Sequence, residues 1–246
     1  MVVRNWIAPL VVGGTASLPL LVPAPQPAGA IAEANGTGTI SGTVTFAGSA
    51  PGPVKLDITM DHEVCDREPK FSEDLVVAPQ TGGLKNVVVW LKDMPEQAND
   101  TPPSDPATLD QRGCRFIPHV LIVPAGETLT ILNSDGILHN IHTRGSVNRP
   151  INKAQPGVLK SVNAKFKYPE MIRVKCDAHK WMSAWIVVAG HSYYALTSED
   201  GSYRLDNVPP GTYSLEFWHE RLGTATQQVV VVAGKEAYAD ARFESD

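Results

Sequence analysis

Short runs in which apolar and polar residues alternate recur along the chain from residue 38 onward, and helical patterns are nearly absent. In residues 172–176 the alternation places Ile172, Val174 and Cys176 on one face of a predicted strand. Turn-forming Gly, Pro, Asn and Asp separate the runs. Further predicted strands lie at residues 38–46, 86–91, 116–123, 128–132, 184–189, 213–217 and 227–232. Many short strands with turns between them predict an all-β sandwich architecture.

Two connections between the predicted strands are informative. Residues 124–127 (Pro-Ala-Gly-Glu) are expected to join the strands at 116–123 and 128–132 as a pair. Residues 94–110 hold four prolines among Asp, Asn, Ser and Thr, so they are predicted to form an exposed loop.

The first thirty residues have the composition of a secretory signal peptide. Arg4 precedes an apolar stretch at residues 6–22, and Ala28-Gly29-Ala30 fits a small-residue cleavage site. The alternative is an N-terminal membrane anchor, but the cleavage site and the prolines within residues 19–25 favour a cleaved signal over residues 1–30. No later segment has the roughly 18 apolar residues needed to span a bilayer. We therefore expect a periplasmic or secreted protein with no membrane span after cleavage.

Length and charge bound the possible functions. Cleavage after Ala30 would leave about 216 residues, enough for one large or two small domains. It would also remove the single cation Arg4, taking the net charge from −5 to −6. A mildly acidic chain without a basic run is not expected to bind nucleic acid.

The three cysteines are Cys65, Cys114 and Cys176. An odd number in an exported protein leaves one cysteine unpaired. The simplest solution pairs Cys65 with Cys114 and leaves Cys176 as a metal-binding thiolate. The alternative is that Cys65 or Cys114 serves as a second metal ligand.

The most specific motif is Cys176-x-x-His179-x-x-Met182, preceded at a distance by His139-Asn140. Thiolate and two imidazoles with a weak axial thioether are the donor set of a redox-active mononuclear copper site. Structural zinc prefers four Cys or His ligands, and Met is a poor ligand for it. The sequence therefore predicts copper as the cofactor.

Residues 116–141 and the Cys176–Met182 loop resemble the cupredoxins. The resemblance depends on Phe-x-Pro, a strand, a Gly turn, Asn-x-Asp and His-Asn, followed by a short ligand loop like that of amicyanin. It implies a Greek-key sandwich holding type 1 copper, and it covers roughly residues 85–189. It also implies that the Asn140 backbone N–H donates to the thiolate sulfur. The resemblance implies these metal ligands: His139, Cys176, His179 and Met182. Ala178 and Lys180 depart from the family, which commonly has a proline beside the second histidine.

Two further histidines are possible additional metal ligands. His142 lies three residues after His139, so in a regular strand the two face opposite sides, and His142 would reach the metal only at a bulge. His119 follows the Phe-x-Pro corner. Either could form a second copper position or replace Met182; otherwise each is a surface or hydrogen-bonded histidine.

A second module is indicated by residues 198–215, which are similar to the carboxypeptidase regulatory-like domain, a small transthyretin-like sandwich. Residues 42–48 resemble the opening strand of the same family. We therefore predict that the copper domain, residues 85–189, is inserted between the two parts of this sandwich, residues 36–84 and 190–246. The strand at 86–91 could belong to either module.

These features favour an exported copper protein that carries one electron to or from a redox partner protein, and not an enzyme. One alternative is a copper carrier or storage protein. Another is an adhesion or scaffold module with an accessory metal site. A copper oxidase or nitrite-reducing enzyme would need a second, open copper site, for which only His119 and His142 are candidates.

Overall fold

A computed structural model describes residues 36–95 and 106–244 of the chain. Within these ranges the regular structure is seventeen strands and one single-turn helix, α1, at His62–Cys65. The strands of the first half are β1 Gly38–Ala47, β2 Val88–Leu91, β3 Thr108–Gln111, β4 Phe116–Ile117, β5 Val120–Pro124, β6 Thr128–Asn133, β7 His139–Arg144, β8 Asn152–Gln155 and β9 Ser161–Lys165. The remaining strands are β10 Glu170–Lys175, β11 Ser183–Ala189, β12 Tyr194–Leu196, β13 Ser202–Val208, β14 Gly211–His219, β15 Gly223–Val231, β16 Glu236–Tyr238 and β17 Ala241–Glu244. The protein is all-β, as its alternating pattern predicts.

Nine strands form the large sandwich. One of its sheets has the order β5-β11-β10-β7-β8, and the other has the order β4-β3-β6-β9. The pairs β5–β11 and β3–β6 are parallel and join strands that are distant in the chain, as in a Greek-key sandwich. Alternate residues of β10 point into the core between the sheets, where Ile172, Val174 and Cys176 are almost completely buried. The face predicted for Cys176 is therefore the inner one.

Eight strands form the small sandwich, and they come from both ends of the described chain. The N-terminal β1 pairs with β13, β16 and β17, which follow the large sandwich in sequence. The facing sheet has the order β12-β2-β14-β15. The large sandwich is therefore inserted between the strands of the small one, as the two separated resemblances predict.

Hydrogen-bond pairing differs from the predicted boundaries in two segments. The predicted copper domain, 85–189, contains β2, but β2 pairs with β12 and β14 of the small sandwich. Conversely, Ile58 and Cys65 lie in the predicted range 36–84, yet they pack in the core of the large sandwich. Both segments contain buried apolar residues. Sequence periodicity indicates that such residues are buried, but it does not indicate which of the two cores they pack in.

The predicted pairing of the strands on either side of residues 124–127 is wrong. β5 pairs with β11, whereas β6 pairs with β3 and β9 in the opposite sheet. Residues 124–127 therefore cross from one sheet to the other. The predicted first strand of this pair, 116–123, is also divided into β4 and β5 at the cis bond between Ile117 and Pro118.

Two predicted segments lie partly or wholly outside the described residues. The predicted signal peptide, 1–30, is wholly outside. The predicted loop at 94–110 is described only at its ends, and its last residues, from Thr108, belong to β3. Among the described residues, no helix has the length and apolar character needed to cross a membrane.

Candidate metal centre

Three of the predicted ligands converge at one end of the large sandwich. His139 begins β7, while Cys176 and His179 lie in the loop between β10 and β11. The Nδ1 atoms of His139 and His179 are 3.0 Å apart, and Cys176 Sγ lies 3.8 Å from His179 Nδ1. One imidazole nitrogen from each histidine and the thiol sulfur all fall within 4.8 Å of one another. A metal ion bound by all three would therefore need little movement of the chain.

The three side chains are buried. His139 and His179 are 0% exposed and Cys176 is 2% exposed. Burying polar groups costs free energy unless they have a partner. Hydrophobic packing therefore does not explain why two imidazoles and a thiol lie together in the interior. The cluster is therefore the strongest candidate site among the residues that the structure describes.

The ligand loop is closed by its own backbone. Met182 N donates to His179 O at 2.9 Å, and Cys176 N donates to Met182 O at 3.4 Å. Met182 is 1% exposed and packs in the same apolar core as Cys176. A thioether is thus held next to the thiol-bearing strand, at a position where sequence spacing predicts an axial ligand.

The sulfur of Cys176 accepts a backbone hydrogen bond from His179 N at 3.3 Å. The backbone N–H groups of Asn140 and Ala178 also lower the pKa of this thiol. Burial raises the pKa of the thiol, but the His139 imidazole and these N–H donors outweigh that effect and lower the pKa below its usual value. The sulfur is therefore prepared to bind a metal as a thiolate. The Asn140 contact that the cupredoxin resemblance implies stays a prediction.

Asp135 holds the far side of the His139 ring. His139 Nε2 lies 2.8 Å from Asp135 Oδ2. The carboxylate also accepts hydrogen bonds from Gly113 N at 2.6 Å and Cys114 N at 2.8 Å. Burial lowers the pKa of His139, but Asp135 and then Cys176 outweigh it and raise that pKa to about 9. With Nε2 bound to the carboxylate, Nδ1 is the nitrogen left for a metal.

Asp61 occupies the equivalent place on the second imidazole. Its Oδ2 lies 2.9 Å from His179 Nε2, and the two residues are 118 positions apart in sequence. Each ligand imidazole thus has a carboxylate on its outer nitrogen. Neither acid is among the residues predicted from the sequence. Asp135 could have been suspected from its position four residues before His139, but nothing in the sequence indicates Asp61.

His142 and His119 lie outside the three-residue cluster. His142 Nδ1 contacts the two carboxylate oxygens of Asp177 at 2.9 and 3.0 Å, on the opposite side of β7 from His139. His119 Nε2 pairs with the carboxylate of Glu220. The regular β7 strand, without a bulge, explains why His142 points away.

Cys65 and Cys114 form a disulfide, with a Cα–Cα distance of 5.2 Å. Cys176 is the only free cysteine of the three in the chain. The pairing inferred from the odd cysteine count is therefore present. Cys114 also lies close to Asp135 and His139, but its sulfur is held in the disulfide.

Comparisons with known proteins support the second module directly. Residues 182–244 match the carboxypeptidase regulatory-like domain. This range contains β11 of the large sandwich and β12–β17 of the small one, so the match covers the C-terminal strands of the small sandwich. The matched range is about a quarter of the chain. No curated protein matches the chain.

Solved structures that align with part of this chain include copper proteins. A Cu(I) form of an amicyanin variant aligns with 41% of this chain and 98% of its own, at 16% identity and a TM-score of 0.32. Amicyanin from Paracoccus versutus aligns with 42% of this chain and 97% of its own, at 16% identity and a TM-score of 0.32. A copper-containing nitrite reductase from Thermus scotoductus aligns with 39% of this chain at 22% identity and a TM-score of 0.29, and only 25% of the reductase is covered.

Proposed function

We propose that this protein is an exported mononuclear type 1 copper protein that carries one electron. The observation that supports the proposal most strongly is the buried convergence of His139 Nδ1, His179 Nδ1 and Cys176 Sγ. Met182 is proposed as the weak axial ligand. Two imidazoles, a thiolate and a thioether fit copper, and a structural zinc site would not use the thioether.

Copper bound by this set would supply a one-electron couple between Cu(I) and Cu(II). The chain supplies rigidity, because β7 and the β10–β11 loop hold the donors at one end of neighbouring, hydrogen-bonded strands of the same sheet. The Nε2 atoms of both imidazoles are fixed by carboxylates, and Cys176 Sγ accepts a backbone hydrogen bond from His179 N. Donors that cannot move favour electron transfer, since little rearrangement accompanies a change of oxidation state.

Burial of the donors supports a carrier over an enzyme. A catalytic metal keeps an open position for substrate, whereas His139, Cys176, His179 and Met182 are each at most 2% exposed. His119 and His142, which a second copper would need, are occupied by carboxylates in separate places. We therefore propose electron exchange with a partner protein and no reaction on a bound substrate.

The disulfide supports export. Disulfides form and persist in oxidising compartments such as the periplasm or the extracellular space, and Cys65–Cys114 is such a bond. N-terminal sequencing of the protein from fractionated cells tests this part of the proposal. A mature protein starting at Ile31 is expected. An intact N-terminus in the membrane fraction would contradict it and favour an anchored form.

Copper titration tests the metal assignment. We expect one equivalent of Cu(II) to give an intense blue colour and an electron-paramagnetic-resonance spectrum with narrow hyperfine splitting, both abolished in Cys176→Ser. His142→Ala is the matched control, because it removes an imidazole that contacts Asp177 and not the cluster, and it should stay blue. A colourless protein that binds Cu(I) and passes it to a chelator would instead support copper carriage or storage.

A further inference from the structure

A loop that follows β1 of the small sandwich contacts the candidate metal ligands through Asp61 and His179. We define the cover loop as residues 54–72, which follow β1 in the chain. Its two ends are joined, because Ser72 N donates to Val54 O and Leu56 N donates to Lys70 O, both at 2.8 Å. The ends of the loop are therefore held together by backbone hydrogen bonds.

Asp61, near the middle of the cover loop, contacts a predicted ligand directly. Its Oδ2 lies 2.9 Å from His179 Nε2. His179 is 0% exposed, while the Asp61 side chain is 48% exposed. The carboxylate thus stands between the imidazole and solvent. The backbone of Asp61 has φ 51° and ψ 40°, a left-handed conformation that Asp tolerates better than most residues.

The cover loop is fastened next to Asp61. Helix α1 begins at His62 and ends at Cys65, whose disulfide to Cys114 reaches the large sandwich. Ile58 and Cys65 are buried in the core of that sandwich. The loop is therefore held by a covalent bond and by apolar packing on either side of Asp61.

The disulfide also reaches the second imidazole through hydrogen bonds. Cys114 N donates to Asp135 at 2.8 Å, and Asp135 contacts His139 Nε2. Cys114 O accepts a hydrogen bond from Trp181 Nε1 at 3.1 Å, and the Trp181 ring lies 5.0 Å from the His179 ring. The Cys65–Cys114 disulfide is therefore connected, through the backbone of Cys114, to a residue that contacts His139 and to a residue that contacts His179.

We propose that the cover loop closes the metal cluster, that Cys65–Cys114 fastens it, and that Asp61 is the positioning residue that holds His179 with Nδ1 toward the metal. The inference rests on the proposed function for the identity of the metal, but the closure is a property of the chain. Removing Asp61 or the disulfide opens the site and frees His179, so that reagents reach Cys176 and a bound metal leaves faster.

The chain offers a matched control for Asp61. Asp177 also pairs with a histidine, is also 48% exposed in its side chain, and follows Cys176 directly, but its partner is His142, which lies outside the cluster. Asp177→Ala removes the same charge with the same exposure and leaves the cover loop in place. Asp61→Asn keeps an oxygen that can accept the His179 N–H, so it separates the hydrogen bond from the charge.

The first experiment needs no metal. Cys176 is the one cysteine outside the disulfide, so its reaction with a disulfide reagent such as DTNB, followed in the metal-free full-length protein, reports closure. We expect slow reaction in the wild type, at least tenfold faster reaction in Asp61→Ala and in Cys65→Ala/Cys114→Ala, and wild-type behaviour in Asp61→Asn and Asp177→Ala. Equal rates in all five proteins, or a wild-type rate equal to that in urea, would overturn the proposal. Circular dichroism selects conditions in which every variant is folded.

The second experiment uses the copper-loaded protein. Transfer of copper to excess bathocuproine after reduction should be at least tenfold faster in Asp61→Ala than in Asp177→Ala, and the copper spectrum should change only in the former. Identical transfer rates and spectra would contradict the positioning role of Asp61. A wild type that binds no copper but shows the expected Cys176 reactivities would contradict the proposed function and leave the closure standing.

Discussion

His119 and Glu220 form a buried hydrogen-bonded pair across the boundary between the two sandwiches. His119 lies between β4 and β5 of the large sandwich, and Glu220 lies in the turn between β14 and β15 of the small one. Trp185 Nε1 donates to the other carboxylate oxygen at 2.8 Å. Burial raises the pKa of Glu220, but His119 and then Trp185 outweigh it, so that pKa is lowered. Glu220 is therefore ionised, and both of its carboxylate oxygens are hydrogen-bonded to side chains of the large sandwich.

Glu220→Ala should destabilise the protein by about 3–5 kcal/mol, because it leaves the His119 imidazole and the Trp185 N–H buried without a partner. Urea unfolding measures this free energy. Glu199→Ala is the control, since Glu199 pairs with Lys85 at an 88% exposed position and should cost about 1 kcal/mol or less. Similar losses in the two variants would show that the interface pair does not stabilise the assembly of the sandwiches.

Gly201→Ala should cost about 3 kcal/mol or more. Gly201 has φ +84°, and an added Cβ would lie 2.3 Å from Val44 O in β1. The new methyl group would therefore combine left-handed strain with a backbone overlap. Gly234→Ala, at φ +69° with no atom within 4 Å of the added Cβ, tests the strain alone and should cost about 1–2 kcal/mol. Equal unfolding free energies for the two variants would contradict the close approach to β1.

Asp135→Asn should weaken copper binding by about 10–100-fold, since a residue that orients a ligand imidazole typically contributes that much. The amide is a weaker partner for His139 Nε2 than the carboxylate seen here. Competition with a chelator measures the affinity. Asp110→Asn is the control, because Asp110 accepts a hydrogen bond from Ser134, the residue just before Asp135, and is not a hydrogen-bond partner of a predicted ligand. An unchanged copper affinity in Asp135→Asn would show that Asp135 does not contribute to metal binding by orienting His139.

Local pattern was sufficient for the parts of the molecule that lie within one strand or one short loop. Alternation placed Cys176, the residue after β10, on the same buried face as Ile172 and Val174, and the spacing of His179 and Met182 from Cys176 gave a short loop that its own backbone closes. Cysteine parity left one of three cysteines unpaired, and the metal motif at Cys176 then favoured the Cys65–Cys114 pairing that the structure shows. In each case the physical constraint acts over neighbouring residues or over a small number of choices.

Long-range neighbours were beyond the reach of periodicity. Two-residue alternation says which face of a strand is buried but not which strand lies beside it, so the assumed β5–β6 pair was wrong. Asp61 reaches His179 across 118 residues, and Glu220 reaches His119 across 101. The sequence does not distinguish Asp61 and Glu220 from surface acids, because each lies beside its histidine only in the folded structure.

Glu170 is expected to make a pH-dependent contribution to the stability of the protein that does not involve the candidate metal ligands. Its carboxylate accepts hydrogen bonds from the backbone N–H groups of Asn148 at 2.9 Å and Val147 at 2.9 Å, and from that of Ser146. Burial raises the pKa of Glu170, but these hydrogen bonds outweigh it and hold that pKa at about 2. The folded pKa is thus below the unfolded one, so this group stabilises the protein above the unfolded pKa, about 4.3.

The stabilisation by Glu170 should therefore be lost as the pH falls from about 4.5 to 2. At pH 7, Glu170→Gln should have a lower melting temperature than the wild type, because a neutral amide oxygen is a weaker acceptor than a carboxylate for the three N–H groups. As the wild-type carboxylate becomes protonated, the difference should shrink toward zero near pH 2. Thermal unfolding of both proteins across this range measures it, with Glu199→Gln as an exposed control that should follow the wild type throughout. A difference that stays constant down to pH 2 would mean that the charge of Glu170 does not hold the loop at residues 146–148.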